Sequence, residues 1–127
     1  MAWCFHDETS PYAQKVLEAL NRHETVTPAV WPLKACNVLV VAERKKRLHK
    51  NASTQFLALL NDLPIRVEQK NSERMFADIL ALAREHNITT YDASYLDLAI
   101  HMGLPLATLD AALRNAAKKS KVPLFKP

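Results

Sequence analysis

Glycine is almost missing from this chain, with one residue among 127. Phosphate cradles of the P-loop and dinucleotide kinds need several glycines at fixed offsets, so both are excluded. No apolar run approaches the roughly 18 residues that span a bilayer, which argues against any membrane segment. Cysteine is scarce: Cys4 and Cys36 form no close motif and read as two reduced, buried thiols of a cytoplasmic protein. The five histidines, His6, His23, His49, His86 and His101, stand far apart, without zinc-type spacing. The opening MAWCFHDET has no basic stretch and carries an early acidic pair, which argues against a signal peptide.

What is present is ordinary globular composition: 49% hydrophobic and 24% charged residues. That is enough chain for one domain, residues 1–127, with a real core. The net charge of +4 permits contact with nucleic acid without demonstrating it. Much of the excess lies in Arg44-Lys45-Lys46-Arg47 with Lys50, and in Lys118-Lys119 with Lys121. Each run reads either as a solvated helix end, where the dipole favours cations, or as a phosphate contact.

Helices alternate with short strands along the chain. Ser10-Pro11 opens a helix through Arg22 with Val16, Leu17 and Leu20 inward. Thr25 to Thr27 forms a short strand. A long helix follows to about Leu48; Thr27-Pro28 could open it, but Pro32 would be awkward in its interior, which favours a start near Trp31, and Leu33, Val38, Val41 and Ala42 fall on one stripe. Ser53 opens a third helix, with Phe56, Leu57, Leu60 and Leu63 inward and Pro64 ending it. Ile65 to Val67 is a strand, and Ser72 to Glu85 a strongly periodic helix on which Met75, Phe76, Ile79, Leu80 and Leu82 line up, closed by His86-Asn87. A last helix runs from Ala111 to about Lys118, and Val122 to Phe125 supplies an edge strand. The fold class is α/β with a small parallel sheet flanked by helices.

The informative stretch is Ile88 to Asp110, ITTYDASYLDLAIHMGLPLATLD. Two β-type runs each deliver an aspartate, Asp92 and Asp110, where a helix should begin. Between them Leu96, Ala99 and Ile100 recur at helical spacing, and Gly103 and Pro105 supply the stop. That order reads as a right-handed strand-helix-strand unit. Both acids then stand outside the carboxyl ends of the strands, where ligands gather. Paired carboxylates there suit a hard divalent cation and phosphate chemistry. Aspartate is also a preferred helix cap, so position alone leaves both readings open. Asp97 is expected to face solvent, Tyr91 and Tyr95 to pack, Trp3 and Trp31 to lie in the core, and Glu43 to pair with Lys46 and Arg47.

The blocks TTYDASYLDLA and LPLATLDAALRNAA, with WCFHDE, TPAVWPLKACNVL, AERKKRL and TQFLALLNDLPI before them, resemble PIN domains of the bacterial VapC-type toxin family. The resemblance implies a parallel sheet flanked by helices, usually in a homodimer, and an antitoxin protein as partner. It also implies RNA as substrate, cut by water with Mg²⁺ or Mn²⁺ held by a cluster of acids. Asp92 and Asp110 match the two acids of the family's C-terminal half and are the candidate catalytic and metal-binding residues. Such domains begin with a central strand ending in an acid. By this resemblance the chain starts after that strand, at Trp3-Cys4-Phe5, so strand and acid are both expected to be absent. The family's next acid is a glutamate in W-x-L-E, where this chain reads Trp31-Pro32-Leu33-Lys34. Glu43 lies two and a half turns further on and faces away. The centre is therefore expected to be impaired or degenerate, with the Lys34 ammonium bridging Asp92 and Asp110 in place of the metal.

Overall fold

The fold was examined in a computed structural model, which describes residues 2–5, 24–62, 64–69 and 72–126; the side chains treated below lie between residues 25 and 126. The expected helix from Ser10 to Arg22 falls outside the described residues, as do the side chains of Trp3, Cys4 and Leu63.

Four parallel strands form the sheet, β1 (Ala2–Phe5), β2 (Glu24–Pro28), β3 (Ile65–Glu68) and β4 (Leu106–Ala107), in the order β3-β2-β1-β4. The gap expected at its centre is not there. Ala2–Phe5 pairs with β2 on one side, Cys4 against Val26, and with β4 on the other, Cys4 against Leu106. The extended, apolar AWCF run satisfies backbone groups on both neighbours, which would otherwise be buried without partners. Beyond β4, the expected strand at Val122 to Phe125 shrinks to one parallel bridge, Leu106 with Leu124. Pro123 has no N–H to extend a ladder, although its carbonyl accepts from Leu106 N–H at 2.9 Å.

The first described helix, α1 (Trp31–Arg44), places Pro32 in its first turn, where a missing N–H costs nothing. It buries Trp31, Ala35 and Leu39, an i, i+4, i+8 stripe. That face is rotated from the expected one: Leu33 is 74% exposed and Val41 also faces out. The helix stops at Arg44, short of Leu48, because Lys46 turns left-handed with φ 57°. Next, α2 (Lys50–Asp62) begins one turn before Ser53, whose N–H donates to the His49 carbonyl. Freed from capping, the Ser53 hydroxyl donates to Glu43 at 3.3 Å and ties the two helices together. Phe56 and Leu57 are exposed, contrary to the inward face expected, while Leu60 packs against the main core.

After β3 comes a single helical run of three pieces: α3 (Ser72–Arg74), a π-helical turn at Met75–Ile79 and α4 (Leu80–His86). The wider π turn takes an extra residue per turn and breaks the expected α periodicity. Ile79 stays buried, but Met75 and Phe76 are turned out, Phe76 to 77% exposure. Asn87, left-handed with φ 52°, ends the run.

The expected strand at Ile88 does not form, so no strand-helix-strand unit precedes β4; α4 leads directly into α5 (Thr90–Met102). Helix α5 is buried on several sides: Tyr95, Leu96, Leu98 and Ala99 join the main core with Val26 and Leu106, Ala93 packs with Ile79 and Ala83, and Asp97 is also buried, whereas Ile100 faces out. Gly103 closes it at φ 63°, the left-handed position that favours glycine, and Leu104 N–H returns to the Ala99 carbonyl. The final helix, α6 (Ala111–Lys119), packs Leu113, Ala116 and Ala117 into the same core as Val26, Leu96 and Leu106.

Candidate acid site

Every strand is parallel, so the carboxyl ends share one edge of the sheet. Three candidate side chains belong to elements that meet at that edge. Lys34 stands in the first turn of α1, just beyond β2; Asp110 follows β4; Asp92 comes from the first turn of α5.

The cap of α5 decides what Asp92 does. Thr89 is the cap residue, its Oγ1 accepting from Asp92 N–H at 3.0 Å. Of the two readings left open for Asp92, the cap is not the one realised: Thr89 holds the cap position and Asp92 lies inside the first turn, its own N–H the donor. The carboxylate faces Lys34 instead, with Nζ 3.5 Å from Oδ1 and the two side chains 34% and 22% exposed. The same ammonium lies 5.4 Å from the ring centroid of Tyr95, a fully buried residue one turn along α5 from Asp92. That distance is within the range of cation–π attraction.

Asp110 behaves as the conventional cap. Its Oδ2 accepts from Leu113 N–H at 2.9 Å, and its own N–H donates to Thr108 Oγ1 at 3.1 Å. Among the described residues Lys34 pairs with Asp92 and not with Asp110, so the expected bridge between the two acids is half made. One oxygen of Asp110 is engaged at a helix start, where the dipole favours an anion. As donors, two carboxylates suit a hard cation. As arranged here, an ammonium already lies on one of them, and a dication between the acids would meet a like charge. Among the described residues, this arrangement of two acids and an ammonium does not fit a resident divalent ion.

A second group of charges was not foreseen. Asp97 is 1% exposed rather than solvent-facing. Arg74 donates to both of its oxygens, at 3.2 and 3.4 Å, and lies 3.7 Å from Asp78. His101 Nδ1 is 3.1 Å from Asp97, and its Nε2 is 3.9 Å from Asp78. Ligand atoms of Asp78, Asp97 and His101 fall within 4.8 Å of one another, a spacing that could hold a metal ion. Arg74 already supplies that cluster with a cation. Its sequence signal was two i, i+4 pairs, Arg74 with Asp78 and Asp97 with His101; the packing of α3 on α5 that joins them is tertiary.

Other expectations divide. Tyr95 packs, but Tyr91 is 60% exposed; Trp31 is buried; Cys36 is exposed rather than buried. Glu43 engages Ser53 rather than its expected basic neighbours. Tyr91 and Val30 are shared by two adjoining hollows: an apolar groove of about 430 Å³ containing Met75, Phe76 and Ile79, and a cleft of about 380 Å³ containing Lys34 and Asn37.

The PIN domain family model matches residues 2–119. The chain belongs to the PIN domain family. Among solved structures it is similar to PAE2754 from Pyrobaculum aerophilum, with a TM-score of 0.73 and 22% identity over 91% of this chain and 84% of that one. It is also similar to FitAcB from Neisseria gonorrhoeae, with a TM-score of 0.54 and 16% identity over 100% of this chain and 98% of that one. No curated protein matches significantly. For this PIN domain, the likenesses speak to the fold, and the match spans every strand and helix described above except the bridge at Leu124. No described helix is long and apolar enough to cross a membrane.

Proposed function

We propose that this protein is a VapC-type PIN protein of a toxin–antitoxin pair whose ribonuclease centre is impaired. It works in the cytoplasm as a homodimer, engages RNA at the carboxyl edge of its sheet, and binds an antitoxin protein. The observation that carries the impairment is the 3.5 Å pair between Lys34 and Asp92. The reaction proper to the resemblance is phosphodiester hydrolysis, in which Mg²⁺ or Mn²⁺ activates water and offsets phosphate charge. Here one acid is paired with an ammonium and the other caps a helix, so no step is routed through such an ion. The apolar groove beside the acids, with Phe76 and Tyr91 exposed, supports a protein partner at this edge. The membership in the PIN family supports an RNA-directed ancestry.

The test is a cleavage assay on single-stranded RNA with Mn²⁺, comparing the chain with Asp92→Asn. Turnover equal in the two supports impairment. Robust cleavage lost on Asp92→Asn makes the protein a working nuclease and overturns it. Retention of RNA without cutting is the second reading, favoured by the exposed run Arg44, Lys45, Lys46 and Arg47. Its signature is affinity that falls steeply with salt as counterions are released.

A further inference from the structure

We infer that Lys34 is the resident cation of this acid centre, held in a box made by the Asp92 carboxylate and the Tyr95 ring, so that the centre is complete without a metal ion. The inference rests on Asp92 and Asp110 being the acid centre proposed above, and goes beyond it by naming what occupies that centre.

Three observations carry it. The Lys34 ammonium is 3.5 Å from Asp92 and 5.4 Å from the Tyr95 ring. Asp92 and Tyr95 stand three residues apart on α5, so they present to the same side of the helix, one above the other. Both attractions act on one ammonium, and the buried ring lends the site a low-dielectric wall that strengthens the pair. Meanwhile Asp110 receives its donor from Leu113 N–H. Each acid thus has its own partner within the chain. Asn37 and Lys34 border the same cleft, which leaves room at this point for a longer or differently charged side chain.

The experiment is Mn²⁺ titration by calorimetry on the full chain, with circular dichroism checking that each variant is folded. The wild type is expected to show no Asp92-dependent binding at concentrations on the order of 10 mM. Lys34→Glu removes the ammonium and adds an oxygen ligand, and should tighten Mn²⁺ binding at least about tenfold. Adding Asp92→Asn to it should abolish that gain. Lys34→Met, which removes only the charge, should also bind Mn²⁺ more tightly than wild type, and serves if the glutamate variant does not fold. Wild-type binding that disappears in Asp92→Asn overturns the inference. So does a folded Lys34→Glu or Lys34→Met that binds no better. A metal-free readout is the Lys34 ε-proton resonance, expected upfield from the Tyr95 ring current and relaxed in Tyr95→Leu; an unshifted resonance counts against the box. A gain of metal in Lys34→Glu alongside no RNA or antitoxin binding by the wild type sinks the proposed function and leaves this inference standing.

Discussion

Two aspartates on one helix are treated oppositely by their surroundings, five residues apart. Asp92 lies at the rim, paired with Lys34; Asp97 is sealed beneath α3 with Arg74 against both oxygens. A buried carboxylate stripped of its partner keeps its desolvation penalty, so Arg74→Met is expected to destabilise the fold by about 3 kcal/mol. Urea unfolding measures it, and a loss under about 1 kcal/mol would mean the guanidinium contributes little beyond solvent. Asp110 permits a cleaner manipulation. Asparagine caps as well as aspartate, so Asp110→Asn should leave stability within about 0.5 kcal/mol, whereas Asp110→Ala loses the Leu113 donor's partner and about 1 kcal/mol. A matching loss in both variants would show that the charge, not the cap, stabilises α6.

At the scale of elements, helix ends explain most of what differs from the periodic pattern. Helix α5 starts at a threonine cap and ends at a left-handed glycine. Thr89→Ala is expected to lower thermal stability by about 1 kcal/mol, because the Asp92 N–H loses its acceptor. Gly103→Ala should cost about as much, because φ 63° strains any residue with a Cβ even though the space around it is open. An unchanged melting temperature in Gly103→Ala would mean that the helix end relaxes away from the left-handed position. The π turn at Met75–Ile79 is the other departure. It rotates Met75 and Phe76 outward into the groove while bringing Arg74 and Asp78 over α5. Local periodicity could not announce it, since a π turn is held by what packs against it rather than by the propensities of MFADI.

For the whole molecule, the decisive feature is the position of the first described residues. Ala2–Phe5 is bonded on both sides, so the sheet is continuous from β3 to β4. Proline at an interior position of such a strand removes a ladder donor. Cys4→Pro is therefore expected to cost about 3 kcal/mol or more, visible as a collapse of the thermal transition. A variant that melts normally would show that Ala2–Phe5 is dispensable to the sheet.

The sequence alone determined the α/β class, the strands at Thr25 and Ile65, the start of α1 at Trp31, the stops at Asn87 and Gly103, and the helix after Asp110. These depend on neighbours a few residues apart: a proline, a cap, a left-handed turn. It also brought Asp92 and Asp110 forward from their places at expected helix starts, and the resemblance added Lys34 to them. Tertiary structure decided the rest. Which stripe of α1 faced inward, whether Ile88 extended into a strand, and which strand filled the centre of the sheet all turned on contacts between distant segments. So did the fates of the charges. Asp97 was buried because Arg74 arrives from another helix, and Lys34 met Asp92 because the first turns of α1 and α5 are brought together by the fold. Caps and turns close between near neighbours and are legible in the sequence, whereas an ion pair between separate elements waits on the packing that brings them together.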